Sequence, residues 1–539
     1  MKITKSTLIL IFSLLSLSAC NSSNNPLARS HDNTIPSDIS IDPNWDSTED
    51  TSFIEESIEP YVDDGTKKEL EIYAYNDFHG AILEENQRIG ALKFFSYLKK
   101  ENLRDNVLSF DQGDSFQGSI YSNYNYGELV LDLMSEAKIS ARTLGNHDFD
   151  WGISKVKALK NHSYNDYLIP TLGANIYNYN FDIKQAGTIQ QRDLAIPSYK
   201  YKLANGLTVG VLGVIGENQI TSITSSYMHD LTFKNHIEVI KNEATKLKEA
   251  GCALIIASIH TGQEDVIGHN LSDYVDLVLC SHTHQEETYK EGNLYYYQSY
   301  AYGGGLTHIT LTYESGKVSV DTSKTSFLHK EDIERELNDE TDKEIEAIIN
   351  KYNKECEEVG GEVLASNVKG NFRKDNELPN LMCKAMYTAV YERGYDAYLS
   401  FVNASRSYIN KSTWTYSDIY QSFPFDNEVY LIEVSGYEIR DEIVNYNNVY
   451  IPSGQYRDIK LSNKYLIATI DYLAFHTNER RFYDYFPDNN GNYIAKLDLN
   501  YREILRDYLL DNYFNSGVTL SSGDYSSRLS NHSKNFNFI

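Results

Sequence analysis

The sequence predicts an α/β fold in two domains, and three observations carry that prediction. Continuous apolar runs at 70–75, 107–110, 253–259 and 275–280 have the length of strands buried on both faces, as in sheets covered by helices. Between them, 89–100 and 236–250 repeat apolar residues at helical spacing. A charged, Glu- and Lys-rich stretch at 330–362 places Ile333, Leu337, Ile345, Ile348, Ile349 and Tyr352 on one helical face, which reads as a linking helix dividing the chain.

Taken in order, residues 1–20 carry Lys2 and Lys5, an apolar stretch from 8 to 17, and then Ser18-Ala19-Cys20. That stretch is too short to span a bilayer and fits an export signal. Its ending, LSAC, is similar to a bacterial lipobox, which makes Cys20 the lipidated residue of an exported lipoprotein; a plain signal peptide cut near Ala19 is the alternative. Asn21 is not the Asp linked to inner-membrane retention, so the outer membrane, the cell surface or the periplasmic side is the expected location. Residues 21–66 are rich in Ser, Asn, Asp, Pro and Glu, cannot bury a core, and read as a flexible tether. Residues 67–329 form the expected first domain, 330–362 the linker and 363–539 the second domain.

Five short motifs carry the chemistry of the first domain: NDFHG (Asp77, His79), DQGDSFQG (Asp114), GNHDFDWG (Asn146, His147, Asp150), SIHTGQED (His260) and SHTHQ (His282, His284). Four of them close an apolar run, and residues at the carboxyl ends of such strands line the usual ligand crevice. The segment before GNHD, 129–140, reads as helical instead. Mixed His, Asp and Asn donors suit Zn²⁺, Mn²⁺, Fe or Co better than the all-oxygen shells of Ca²⁺ and Mg²⁺. Two such cations about 3.5–4 Å apart serve phosphate-ester hydrolysis, by neutralising phosphoryl oxygens and lowering the pKa of water to about 7. Asp114 is the only ligand-type residue in a loop tightened by Gly113 and Gly118, which makes it the candidate bridge. His147 and Asp150, three residues apart, suit an imidazolium that stabilises a departing oxygen while a carboxylate orients it.

The motifs, their order and their spacing resemble the bacterial 5′-nucleotidase family, from about Lys67 to the end of the chain. The resemblance implies a metallophosphoesterase β-sandwich flanked by helices, a linker helix and a C-terminal α/β substrate-binding domain that in the family can rotate. It implies that Asp77, His79, Asp114 and His284 hold one divalent metal, and that Asp114, Asn146, His260 and His282 hold the other. It implies that His147 and Asp150 are the catalytic dyad. Ser281 stands where the family has Gly.

The second domain is expected to recognise what the phosphate is attached to. A base needs flat faces for stacking, and phosphate or ribose suits the planar fork of Arg. FPFDNEV matches the family's PFGN segment and implies Phe425 as one stacking face; Phe482 in NERRFYDYF is the second, with Tyr483 its rival. Arg406 in FVNASRSYIN matches an Arg that closes a glycine-rich loop, with Asn403 beside it, and Arg373 in FRKDNELPN matches another family Arg within one residue. The double glycine before Arg406 is missing, so the loop departs from the family's shape.

The formal charge of −27, from 76 acidic against 49 basic residues, repels nucleic-acid polymers and leaves small phosphates as ligands of a locally positive metal pocket. Cys252 and Cys280 read as buried thiols, and Cys356 and Cys383 are not expected to form a functional disulfide. Together these readings predict an exported, lipid-anchored phosphohydrolase with two divalent metals that acts on nucleotides, first a 5′-nucleotidase. A 2′,3′-cyclic-nucleotide phosphodiesterase/3′-nucleotidase and a UDP-sugar hydrolase are the alternatives within the family. A non-catalytic binding lipoprotein is the alternative of another class.

Overall fold

The computed structural model describes residues 58–180, 185–223, 231–445, 448–450, 458–475, 493–526 and 537–538. Cys20, Phe482 and all of the expected tether before residue 58 lie outside them.

The chain opens with β1 (Lys68–Tyr75), α1 (Ala91–Asn102), β2 (Val107–Asp111), α2 (Glu128–Glu136), β3 (Ala141–Thr143) and β4 (Thr171–Leu172). These four strands lie parallel in one sheet. A second sheet follows, from β5 (Ser198–Lys202), β6 (Thr208–Ile215), α3 (His236–Glu249), β7 (Leu254–His260), β8 (Leu277–Leu279), β9 (Glu287–Glu291) and β10 (Leu294–Gln298). Its order is β9-β10-β8-β7-β6-β5, with β6, β7, β8 and β10 parallel. The chain then returns to the first sheet through β11 (Leu306–Glu314), antiparallel to β1, with β12 (Lys317–Val320) and β13 (Ser326–Leu328) at its edge.

The two-sided apolar runs explain the layering. In β1, Leu70, Ile72 and Ala74 join Leu108, Phe110, Val209, Val211, Leu254 and Ile256 between the two sheets. Their alternates Tyr73 and Tyr75 face outward into a helix layer with Phe94, Phe95, Leu129, Leu133 and Met134. In the second sheet, Leu212, Val214, Ile255 and Ala257 pack on Ile240, Ala244 and Leu247 of α3. Each large side chain so buried contributes about 1.5–3 kcal/mol. A strand with only one apolar face would leave one of these layers uncovered. The GNHD segment departs from the sequence reading: α2 ends at Glu136, and the short β3 intervenes before the motif. Three residues are too few for a periodicity signal, yet they give this motif the same strand-end placement as the others.

The linker is two helices rather than one. α4 (Lys330–Leu337) ends at Asn338, which is left-handed at φ 49°, and α5 (Lys343–Gly360) restarts at Asp342, whose side chain accepts from the N–H groups of Glu344 and Ile345. Ile333, Leu337, Ile345, Ile348 and Ile349 all enter the helix-layer core of the first domain. Tyr352 of α5 donates its hydroxyl to Asp132 of α2 at 2.9 Å, and His162 Nε2 donates to the same carboxylate at 2.6 Å.

The second domain contains α6 (Glu377–Glu392), β14 (Leu399–Val402), α7 (Tyr416–Ser422), β15 (Glu428–Ser435), β16 (Asn448–Tyr450), β17 (Lys464–Ile470), β18 (Tyr493–Asn500) and α8 (Tyr501–Leu509). Its mixed sheet runs β16-β14-β17-β15-β18, and α8 packs on α6. Cys252, Cys280, Cys356 and Cys383 are all buried. Among the described residues, no helix is long and apolar enough to cross a membrane.

Asp132 is 1% exposed and holds the linker helix to the first domain. Its replacement by Ala strands two donors at a buried site and is expected to cost about 1–3 kcal/mol. A lowered urea midpoint with an unchanged slope is the expected result.

Candidate metal centre and substrate cleft

The carboxyl ends of β1, β2, β3, β7 and β8 bring the five motifs together. Asp77, His79 and His284 offer one set of ligand atoms within 4.8 Å of one another, and Asp114, His260 and His282 offer a second. Asn146 Oδ1 lies 3.1 Å from His260 Nε2, which adds the expected amide to the second set. The two sets adjoin, since Asp77 of the first accepts from the backbone N–H of His282 of the second at 2.8 Å.

Each donor is aimed by a hydrogen bond from its other atom. His79 donates Nδ1–H to the Gln117 carbonyl at 2.7 Å, and His260 donates Nδ1–H to the Gln112 carbonyl at 2.8 Å. Both rings therefore present an Nε2 lone pair inward. Asp77 Oδ2 accepts from the His282 N–H at 2.8 Å and from Asn76 Nδ2 at 2.7 Å, and Asp114 Oδ1 accepts from the His147 N–H at 2.8 Å. The remaining oxygens are buried and face imidazoles, with His284 Nε2 3.4 Å from Asp77 Oδ1 and His260 Nε2 3.1 Å from Asp114 Oδ2. His79 Nε2 and His284 Nε2 face each other at 3.3 Å. Such a gathering of lone pairs is repulsive without cations. Burial and the neighbouring His284 push the His79 pKa down to about 3; burial and His260 push His282 down to about 4. Both rings are thus neutral and able to ligate near neutral pH. The donor set fits two divalent cations of the Zn, Mn, Fe or Co kind.

Close packing of backbone around these carboxylates depends on glycine. A Cβ on Gly145 would sit 2.2 Å from Asp114 Oδ1 and 2.7 Å from His260 Cε1. The same loop is held from below by Asp148, a residue the sequence reading passed over although it lies inside GNHD. Its Oδ2 accepts from the Gly145 N–H at 2.6 Å, and its Oδ1 lies 3.4 Å from the buried Arg142 guanidinium.

His147 Nδ1 donates to Asp150 Oδ2 at 2.8 Å, as a dyad requires. Burial lowers the His147 pKa, but Asp150 and then Asp114 outweigh it, so the net shift is upward. Burial also raises Asp150. The second domain covers this dyad directly. Phe425 stacks on the His147 ring with centroids 5.5 Å apart, Arg406 Nη2 donates to His147 Nε2 at 2.9 Å, and the Arg406 guanidinium lies 5.0 Å above Phe425.

Asn403, Arg406 and Phe425 share with the metal-ligand sets a cavity of about 570 Å³. Arg373 does not reach it. Its guanidinium forms a two-armed pair with Glu377 at 3.0 and 2.7 Å, and its N–H binds the same carboxylate. Lys374, one position on, lines the cavity instead. The motif match was uncertain by one residue, and the (i, i+4) Glu377 is what turns Arg373 away. Tyr302 and Tyr472 also line the cavity and carried no sequence signal. Tyr302 has a left-handed backbone at φ 59° and packs its ring on both His79 and His284, at 5.3 and 5.0 Å. The Phe425 loop is fixed from behind by Arg502, which is 3% exposed. Arg502 donates to the Phe425 carbonyl at 2.7 Å and the Phe423 carbonyl at 3.1 Å, pairs with Asp426, and lies 3.6 Å over Tyr420.

A two-sheet sandwich with two candidate metal-ligand sets, capped by a mixed α/β domain, is the class that this fold and site define. The 5′-nucleotidase C-terminal domain family matches residues 359–455. The chain is 25% identical over 427 residues to a 5′-nucleotidase of Diplobatis ommata, covering 69% of this chain and 70% of that protein. It is 24% identical over 409 residues to endonuclease YhcR of Bacillus subtilis, covering 70% of this chain but 32% of that protein. With a snake venom 5′-nucleotidase of Crotalus adamanteus the match is 26% over 315 residues and spans 50% of that protein, so the chain spans less than two thirds of several such relatives. The fold is shared with a 5′-nucleotidase precursor from Thermus thermophilus (TM-score 0.65, 16% identity, 82% of this chain and 96% of that one). It is also shared with a 5′-nucleotidase from Candida albicans (TM-score 0.58, 12% identity, 84% and 100%). Residues 359–455 thus match a 5′-nucleotidase C-terminal domain, and the chain as a whole is similar in sequence and in fold to 5′-nucleotidases.

Two expectations follow. Gly145→Ala pushes a methyl group into Asp114, and is expected to abolish uptake of the second metal by elemental analysis while the far-UV circular dichroism persists. Divalent Mn²⁺ or Zn²⁺ at 100 times its Kd is expected to add about 2.7 kcal/mol of stability, read as a rise in Tm that chelator reverses.

Proposed function

We propose that the protein is a metal-dependent phosphohydrolase of small nucleotides, acting first as a 5′-nucleotidase that releases phosphate and nucleoside. The observation that carries this reading is the pair of buried carboxylate oxygens, Asp77 Oδ1 and Asp114 Oδ2, gathered with convergent imidazole nitrogens beside the His147–Asp150 dyad. Asp77, His79 and His284 would hold one cation, Asn146, His260 and His282 the other, with Asp114 bridging. When bound, two cations there supply Lewis acidity to the phosphoryl oxygens and acidify a water molecule.

The chain's own groups complete the site. Asp150 fixes the His147 ring with Nδ1–H directed at itself, which leaves Nε2 to give a proton to the departing nucleoside oxygen. That oxygen enters where the Arg406 guanidinium now sits, and Arg406 moves onto the phosphoryl oxygens. Lys374 and Asn403 contact phosphate or ribose from the same cavity, and the Phe425 ring offers a flat face to the base. Phe482 is the proposed second face. Export and anchoring through a lipid on Cys20, with the membrane touched by that lipid alone, belong to the same proposal; Cys20→Ser is expected to move the protein out of the membrane fraction.

Phosphate release from 5′-AMP, 3′-AMP, 2′,3′-cyclic AMP and ATP by the Mn²⁺- or Zn²⁺-loaded protein tests the reading. His147→Ala is expected to lower turnover by about 10²–10⁴-fold with metal content unchanged. Full metal loading with no release from any nucleotide sinks the reading in favour of a binding protein. Arg502→Met is expected to raise KM for the preferred nucleotide several-fold by freeing the Phe425 loop, while 5′-phosphate remains the group cleaved.

A further inference from the structure

A second chamber, of about 210 Å³, lies beside the first metal-ligand set and is lined from both domains. His79 of that set forms part of its wall, whereas His284 lines the nucleoside cleft. Tyr302 and Arg406 line both spaces, so these two side chains form the partition between them. Leu83 and Glu85 in the lining are exposed, so the chamber opens to solvent.

The polar groups of this lining suit an anion smaller than a nucleotide. Arg88 lies 5.1 Å above the Tyr302 ring, and Arg406 supplies a second guanidinium. Gln117 is 2% exposed, and its Nε2 donor is buried with no hydrogen-bond partner among the described residues. A buried amide N–H without an acceptor carries a desolvation penalty that a ligand oxygen removes. The carbonyl of the same residue accepts from His79 Nδ1 at 2.7 Å, which places Gln117 next to the metal-ligand set. One group opposes: Glu85 Oε2 stands 3.3 Å from Arg88 Nη1 and competes for it. Two guanidiniums and an amide donor against one exposed carboxylate leave a net attraction for a compact oxyanion. The cleft side is capped, because Phe425 stacks on His147 at 5.5 Å and Arg406 donates to His147 Nε2 at 2.9 Å. A phosphate ion freed between the metal-ligand sets would have to pass the nucleoside and this cap to leave by the cleft. The chamber offers the other way, past Tyr302 and Arg406.

We propose that this chamber receives the inorganic phosphate set free at the metal-ligand sets and conducts it to solvent, while the nucleoside leaves through the cleft. The inference rests on the phosphohydrolase reading above. Arg406 meets the ion at the partition, Arg88 and Gln117 Nε2 hold it in the chamber, and Glu85 displaces it from Arg88 at the mouth. Product release limits turnover in many enzymes. Here it becomes a property of residues that never touch the nucleoside.

Inorganic phosphate is the probe, titrated calorimetrically into full-length, metal-loaded protein freed of excess metal. Two phosphates per chain are expected, one at the metal centre and one in the chamber. Arg88→Ala is expected to weaken one of them by about tenfold or more, the size of a lost charge-assisted hydrogen bond. Glu85→Gln is expected to tighten that same phosphate, and the other stays unchanged in both variants. Leu83 is 46% exposed, so Leu83→Trp narrows the mouth without disturbing the core. In a single turnover of the preferred nucleotide, this variant is expected to release phosphate to a solution sensor about tenfold more slowly than wild type, while bond cleavage stays within about twofold. A single phosphate per chain, or both phosphates weakened equally by Arg88→Ala, would overturn the chamber's role. So would a Glu85→Gln protein that binds no tighter, or unchanged release from Leu83→Trp. Failure to cleave any nucleotide overturns the phosphohydrolase reading itself, and the exit role with it.

Discussion

The structure depends on one constraint: several lone-pair donors must converge where buried strands end, and the backbone must bend sharply to deliver them. Asp77, His79, Asp114, His282 and His284 all adopt the left-handed conformation, at φ 49°, 50°, 57°, 75° and 60°. None of the five is glycine, and such residues cost about 1–3 kcal/mol each. Hydrogen bonds hold them there. The Asp77 N–H reaches the Gly113 carbonyl at 2.9 Å, and the His79 N–H reaches the Asp114 carbonyl at 3.0 Å. The first two motifs therefore brace each other. Two sheets buried on both sides supply the rigidity that keeps such turns from relaxing.

That dependence explains what was legible in the sequence. A strand covered on both faces must be apolar throughout, so β1, β2 and β7 stood out, and so did the polar motifs that end them. The short β3 did not, because three residues carry no period and the helix before it masks the change. The metal-ligand sets were readable since His, Asp and Asn in that order have few other uses. Asn76 and Asp148 were passed over inside the same motifs because their task is to aim a neighbour. Asn76 donates its amide N–H to Asp77 Oδ2 and accepts the Ser299 N–H on its carbonyl, a partner more than two hundred residues away.

The second domain was less legible for a physical reason. Its site residues come from loops, and a loop has no periodicity to fix its register. Lys374 rather than Arg373 faces the cavity because Glu377 captures the arginine. The Phe425 loop takes its shape from Arg502, 77 residues further on, and no local pattern connects the two. A buried guanidinium that satisfies two backbone carbonyls and a carboxylate fixes this loop.

The linker has a mechanical consequence. Its two helices bury Ile333, Leu337, Ile345, Ile348 and Ile349 in the core of the first domain and tie Tyr352 to Asp132. At the other end, Glu362 is gripped by Arg506 of α8 through both carboxylate oxygens. The Gly360 end of α5 also packs on α7 of the second domain, and Gly360 sits closely between Ile120 and Ser417. The linker is therefore a shared wall between the domains, and a side chain added at Gly360 would press on both at once.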